Sequence, residues 1–308
     1  MPNRVALVTT DRALLGDEER DIDTLSAALR RVGFEVDTPV WHDPDVAWGG
    51  FDLAVMRSPW DYPGRYREFM TWLERASSQV RVLNAPELIR WNIDKRYLAD
   101  LAAAGVRCAP FEFCDTMAEV RAAIARFAPS TLIVKPSVSV GSANTGWFAA
   151  TDPKALELAE LILSLGKTAM VQPAVEHVTR HGENALLFFN GEYAASFHKA
   201  PILEFGGGYL GGAYTENITR GDPTPAEISL GEQAVAAVGA IARARGFAAD
   251  AGLPLYARVD IALADGVEPQ LIELEAFEPS YFSDIVPEVV DPFVRALSTR
   301  LAGTVADD

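Results

Sequence analysis

Cysteine is nearly absent: only Cys108 and Cys114 occur in 308 residues. Two thiols cannot build a disulfide framework, and neither lies at zinc-ligand spacing from a histidine or from the other, so both read as reduced thiols beside a strand. Histidine is also sparse, with four in the chain. His177, His181 and His198 show no metal-ligand pattern, and no Ser/His/Asp set is recognisable, which turns the reading away from nucleophilic hydrolases. Apolar runs of the ~18 residues that a membrane span needs are missing. The opening MPNRVALVTTDR has a short apolar run and no small-residue cleavage pattern. It reads as a first strand rather than a signal peptide, and a cytoplasmic protein without membrane contact is expected. Positive charge is short as well: 27 Lys and Arg against 43 Asp and Glu give a formal charge of -16. Such a surface repels polyphosphate backbones, which argues against nucleic-acid binding, and any nucleotide must be held by local groups.

What the chain does have is length and core-forming composition: 49% hydrophobic residues suffice for two or three compact units. VALVTT, an amphipathic stretch from Glu18 to Val32, FEVDTPV, FDLAVMRS, a helix from about Tyr66 to Ala76 and VRVLNA alternate in the rhythm of an open α/β sheet. Such sheets bind ligands beyond the carboxyl ends of their strands. The loops carrying Asp11, Arg12 and Asp17, and Arg57, Ser58, Trp60, Asp61 and Tyr62, are therefore the expected substrate surface. After a helix from about Lys95 to Ala104 comes a smaller unit: VRCAPFEF, a helix from Thr116 to Phe127, TLIVKP, a polar loop, WFAA, a helix from Pro153 to Gly166, and TAMVQP. Together these predict a compact lid. Longer strands return in ENALLFFNGEYAASFHKAP, with Asn190-Gly191 as a hairpin turn. A Gly-rich stretch (Glu204 to Gly221), an Ala-rich helix from about Pro225 to Arg245, the pair LYARVDIAL and PQLIELEAF, and a helix from about Ser283 to Leu301 follow. The expected units are 1–94, 95–172 and 173–308, with no internal repeat.

The strongest local signal is Asp260 in RVDIAL with Glu273 and Glu275 in LIELEAF. Alternate strand residues share a face, so Glu273 and Glu275 point the same way, and pairing with the RVD strand can bring Asp260 beside them. Three converging carboxylates repel one another unless a cation sits among them, and hard oxygen ligands suit Mg²⁺, which usually carries substrate phosphates too. Charges wetted on the open face of a strand are the alternative, and it stays open at this level. Arg258 shares the face of Asp260, as a cation would beside a transferring phosphoryl group or in a plain surface pair. Lys135 ends TLIV and precedes SVSVGSANTG (Ser137 to Gly146), whose small residues let backbone N–H groups approach phosphate oxygens. The Walker A spacing is absent, and a flexible connector beside a solvated lysine is the competing reading. Lys95, Lys199 and Arg220 also sit at element ends near turns.

The order of these features resembles the ATP-grasp superfamily, in its glutathione synthetase and D-alanine:D-alanine ligase branch, over nearly the whole chain. The resemblance implies an α/β protein of ATP-grasp fold, with an N-terminal open α/β domain, a small α+β lid and a C-terminal α+β catalytic domain, using ATP and Mg²⁺. Lys95 in NIDKRYL and Lys135 in LIVKP match the family's two phosphate-contacting lysines. Ser137, Ser139, Gly141 and Ser142 belong to the matching loop that closes over the phosphates. Gln172, Pro173, Ala174 and Val175 match the hinge presenting main-chain groups to adenine. Glu183 in HGEN matches the acid that takes the ribose hydroxyls, with Glu176 as rival. Lys199 in HKAP, and Asn217 and Arg220 in ENITRGD, resemble the part that holds the acyl phosphate. Asp260, Glu273 and Glu275 match the metal ligands, where Glu275 replaces the customary Asn and adds negative charge. Within the superfamily, TTDRALLGD, RSPWDY and EAFEPSYF are similar to the cyclo-ligases of cycloserine biosynthesis, which close O-ureido-D-serine into a ring.

The activity thus implied converts a substrate carboxylate into an acyl phosphate, which a nitrogen nucleophile then displaces. Arg258, Lys199, Arg220 and Asn217 are the expected catalytic groups. A small amino-acid-like substrate would be gripped by Asp11, Asp17, Arg57, Ser58 and Asp61, with Ser280 near the reacting carboxyl. A two-substrate amino-acid or peptide ligase and a non-catalytic nucleotide-binding module are the alternatives. Family members are often dimers, so a homodimer lies within expectation.

Overall fold

The computed structural model describes residues 3–15, 19–209, 217–247 and 252–302. Asp17 and residues 210–216 of the Gly-rich stretch lie outside them. The run Val5 to Val8 is apolar on both faces and forms β1 (Arg4–Thr9), buried as an interior parallel strand must be. It is flanked by β2 (Glu35–Asp37) and β3 (Leu53–Ser58), with β4 (Arg81–Leu83) beyond, in the parallel order β2-β1-β3-β4. After α1 (Arg12–Leu15), α2 (Ile22–Arg31) packs Leu25 and Leu29 with Val5 and Leu7. The opposite face, Ala6 and Val8, receives Phe69 and Leu73 of α3 (Tyr66–Ser77). The helix expected from about Lys95 is α5 (Tyr97–Ala103), and an unexpected helix, α4 (Pro86–Asn92), precedes it, with Lys95 in the turn between them. Pro86 opens α4, since proline suits the first turn of a helix.

The lid is an antiparallel sheet of β5 (Glu112–Cys114), β6 (Thr131–Pro136), β7 (Thr145–Ala149) and β8 (Ala169–Pro173), ordered β7-β6-β8-β5. Its helices α6 (Met117–Phe127) and α7 (Pro153–Ser164) share one core with Leu132 and Val134. Thr116 and Glu119 form a capping box that fixes the start of α6.

A short helix, α8 (Glu176–His181), precedes β9 (Glu183–Phe189) and β10 (Glu192–Lys199). Asn190 and Gly191, at φ 49° and 87°, make the two-residue hairpin turn. Next, β11 (Gly207–Tyr209) leaves this unit and pairs with β7 as the edge strand of the lid sheet, although the sequence grouped it with residues 173–308. The remaining elements are β12 (Ile218–Arg220), α9 (Pro225–Ala244), β13 (Tyr256–Ala264), β14 (Glu268–Glu275) and α10 (Val290–Ala302), giving an antiparallel sheet β12-β10-β9-β13-β14. Helix α10 starts later than the sequence predicted. The carboxylate of Asp21 accepts from the backbone N–H of Tyr281 at 2.6 Å and of Ser283 at 2.8 Å, which holds that stretch in a loop. No helix among the described residues is long and apolar enough to cross a membrane.

Candidate active site

On β13, Ala257, Val259 and Ile261 face α9, so Arg258 and Asp260 face the other way. The register places Arg258 opposite Glu275 and Asp260 opposite Glu273. A bulge between Asp260 and Ile261 leaves Ile272 unpaired, and both Ile272 and Glu273 line the resulting cleft. One carboxylate oxygen from each of Asp260, Glu273 and Glu275 lies within 4.8 Å of the others. The two-residue spacing therefore brings together the three acids expected to do so.

Cations meet these acids from several elements. Arg258 holds Asp260 through Nε at 2.8 Å and Nη2 at 2.9 Å, and Glu275 through Nη2 at 2.5 Å. Lys199, at the end of β10, bridges Asp260 at 2.9 Å and Glu183 at 2.6 Å. Lys95 reaches Glu273 at 3.0 Å. Lys135 is buried at the end of β6, lines the same cleft, and has no carboxylate within 4.0 Å among the described residues. Burial lowers its pKa, Glu273 opposing and Lys95 reinforcing. An unpaired buried ammonium beside a Ser- and Gly-rich loop is a ready anion site.

The acids are in excess: Glu183, Asp260, Glu273, Glu275 and Glu278 face Lys95, Lys135, Lys199 and Arg258. Burial opposes the charge of Asp260, but Arg258 and Lys199 prevail and hold it at about 2. Glu273 is lowered against burial by Lys95 and Lys135. Glu275 is pushed up to about 7 by burial, against Arg258, and Glu278 to about 8 by burial and by Glu275. Surplus negative charge on hard oxygens is what a divalent cation would relieve, so the donor set fits Mg²⁺.

The cleft has a volume of about 940 Å³. Ser139, Gly141, Ser142, Gln172, Pro173, Val175, Glu183, Asn217 and Ser280 line it alongside the groups above. Several expected residues are elsewhere. Glu176 is exposed and ion-pairs with Arg180 one turn along α8, which leaves Glu183 as the acid inside the cleft. Ser137 is buried and ties the lid to the Lys95 turn through backbone bonds, and the Ala174 N–H is spent on the Thr131 carbonyl. Arg220 turns outward to Glu288 on the molecular surface. Arg57 and Ser58 belong to β3 itself, not to a loop. The Arg57 guanidinium is fully buried, stacked 3.7 Å over Tyr281 and bonded to the Pro279 carbonyl at 2.8 Å, while Ser58 bonds Thr9. Asp61 does line the cleft, anchored by the Trp41 indole N–H at 2.7 Å and by Arg65 at 3.1 Å; Asp11 remains outside, exposed and 3.6 Å from His42.

A family model described as the N-terminal domain of the D-cycloserine synthetase DcsG matches residues 5–84. The cycloserine biosynthesis protein DcsG of Streptomyces lavendulae is 33% identical over 307 residues, spanning 96% of this chain and 98% of that relative. The chain belongs to the DcsG family. A crystal structure of D-cycloserine synthetase DcsG matches with TM-score 0.87 at 31% identity, over 97% of this chain and 100% of that one. The D-alanine–D-alanine ligase of Bacillus anthracis, solved with ATP, shares the fold at TM-score 0.65 and 14% identity, over 98% and 99% of the two chains. The fold is thus that of the ATP-grasp ligases, and this DcsG family member is an ATP-dependent ligase.

Two features of the DcsG family member escaped the sequence reading. The hinge contains α8, too short to show a helical period. Glu278, three residues beyond the metal strand in EAFEPSYF, also lines the cleft. A fourth acid just past the carboxyl end of β14 was the available signal.

Proposed function

We propose that this protein is a cyclo-ligase that activates the carboxylate of O-ureido-D-serine as an acyl phosphate and closes it, with hydrolytic loss of the carbamoyl group as CO2 and NH3, to D-cycloserine. The observation that carries the reading is the opposed pairing of Arg258 with Glu275 and Asp260 with Glu273, facing Lys95 and Lys135 across one cleft. Family membership supports the ring-closing substrate. Asp260, Glu273 and Glu275 would hold a magnesium ion, which when bound supplies charge neutralisation for phosphoryl transfer. Lys95 and Lys135 take phosphate oxygens, and the small-residue loop from Ser137 closes over them. Ile133, Val175, Val178 and Ile272 offer an apolar slot for adenine beside Gln172 and Pro173, and Glu183 receives the ribose hydroxyls. Lys199 and Arg258, already oriented by Asp260, stabilise charge on the transferring group. Asp61, Asn217 and Ser280 contact the amino-acid-like substrate, and lid closure shields the acyl phosphate from water.

The deciding experiment supplies ATP, Mg²⁺ and O-ureido-D-serine with no second amino acid. One ADP per D-cycloserine is expected. ADP release that waits for an added amino acid, or ADP without D-cycloserine, overturns the reading.

A further inference from the structure

Ring closure leaves a proton to place. As the O-linked ureido nitrogen forms its C–N bond to the carboxyl carbon, and the C–O bond to phosphate breaks, that nitrogen must give up its N–H proton; the carbamoyl group it still carries is lost to water as CO2 and NH3 to leave D-cycloserine. A positioned acceptor for such a proton typically contributes on the order of 10²–10⁴-fold in rate. Five carboxylates line the cleft: Asp61, Glu183, Glu273, Glu275 and Glu278. Four are committed to cations: Asp61 to Arg65 at 3.1 Å, Glu183 to Lys199 at 2.6 Å, Glu273 to Lys95 at 3.0 Å and Glu275 to Arg258 at 2.5 Å. Glu278 has no cation within 4.0 Å among the described residues. No described histidine, cysteine or tyrosine lines the cleft.

Glu278 is also fixed in place. The Trp60 indole N–H donates to its main-chain carbonyl at 3.1 Å, and the Tyr62 hydroxyl is a close neighbour of its carboxylate. Both anchors come from the N-terminal α/β unit, so the carboxylate stands where that unit meets β14, beside Ser280. Burial and the charge of Glu275 keep its proton affinity above that of an ordinary carboxylate, the direction a proton acceptor needs.

We propose that Glu278 accepts the proton from the attacking ureido nitrogen during ring closure. This rests on the cyclo-ligase reading. Phosphoryl transfer to the carboxylate needs no such acceptor, so the two steps separate when Glu278 is changed. The test compares wild type with Glu278→Gln, which keeps the side chain's size and an acceptor oxygen, using ATP, Mg²⁺ and O-ureido-D-serine with hydroxylamine present. Wild type is expected to yield ADP and D-cycloserine in equal amounts. The variant should release ADP within about threefold of wild type while D-cycloserine falls on the order of 10²-fold, the stranded acyl phosphate being captured as the hydroxamate. Glu278→Asp, which keeps a carboxylate, should retain a higher ratio of D-cycloserine to ADP than Glu278→Gln. ADP release and ring formation falling together in both variants would overturn the inference alone, as would a Glu278→Gln protein that still makes D-cycloserine at the wild-type rate. Wild type that forms no D-cycloserine overturns the cyclo-ligase reading, and this inference with it.

Discussion

Lys95 and Glu273 meet at 3.0 Å, joining the turn ahead of the lid to the centre of the acidic strand β14. Burial alone works against both charges. The Glu273 carboxylate nevertheless raises the pKa of Lys95, and the lysines lower that of Glu273, so each charge exists because of the other. Opening the lid-side turn would strand a buried ammonium and a buried carboxylate together, which couples lid position to the charge state of the site.

Glu273→Gln removes one of the three converging acids while its amide oxygen can still accept from Lys95. ADP release should fall at least ~10²-fold, the scale set by loss of a group that stabilises transition-state charge. The far-ultraviolet circular dichroism spectrum should be unchanged. Turnover within a few-fold of wild type would remove Glu273 from the magnesium site.

The stability of the metal-free protein should fall as pH rises from 5 to 8. Glu275 and Glu278 ionise at about 7 and about 8 in the folded chain, against an ordinary value of 4.5. Between these limits the folded state keeps protons that the unfolded state has lost. Their contribution is thus complete below about 4.5 and is lost as pH rises through the folded values. Asp260 and Glu273, both lowered, act in the opposite sense only in more acidic solution. Glu278→Gln isolates the effect, because contributions shared by both proteins cancel. Wild type should lose about 1–3 kcal/mol more than the variant across this window, a few degrees in melting temperature. Equal losses in the two proteins would refute the assignment, and added Mg²⁺ should flatten the wild-type fall by favouring ionised Glu275.

The two cysteines should be inert in the folded protein. Burial pushes the Cys108 thiol up to about 12 and, with nearby acids, Cys114 to about 11. At pH 8 the reactive thiolate is then a fraction on the order of 10⁻³ or less. Ellman's reagent should label neither thiol within minutes and should label both after unfolding in guanidinium chloride. Rapid labelling of the native protein would contradict the burial of these thiols.

Much of the site could be read from residue spacing, because a strand imposes a period of two. Arg258 with Asp260, and Glu273 with Glu275, had to share faces once β13 and β14 paired. What failed depended on partners remote in sequence. Arg57 looked like a loop residue, but β3 is buried on both faces, so no alternation could show that its guanidinium packs on Tyr281. Arg220 pairs with Glu288, which no local pattern reveals. Three residues of β11 carry no period of their own, and their pairing with β7, Gly207 opposite Trp147 and Gly208 opposite Gly146, assigns them to the lid. Glu278 stood in plain view but lay beyond the strand, where a two-residue period no longer constrains direction.

Gly182 is the backbone condition for the Glu183–Lys199 pair. Its φ of 84° and ψ of -160° fall in a region essentially reserved for glycine, and a Cβ there would sit 2.0 Å from the Lys199 carbonyl oxygen and 2.9 Å from His198 Nε2. Gly182→Ala must therefore shift the start of β9 away from the end of β10, costing about 1–3 kcal/mol for the backbone conformation alone. The same shift pulls Glu183 from Lys199, which also contacts Asp260 at 2.9 Å. The variant should melt several degrees lower and show a raised KM for ATP. Gly33→Ala is the control: its φ of 99° carries a comparable strain, but nothing lies within 4 Å of the added Cβ and the position is remote from the cleft. It should lose stability without moving KM. Equal KM values for the two variants would show that Gly182 serves the fold only, and would separate the Glu183–Lys199 pair from nucleotide binding.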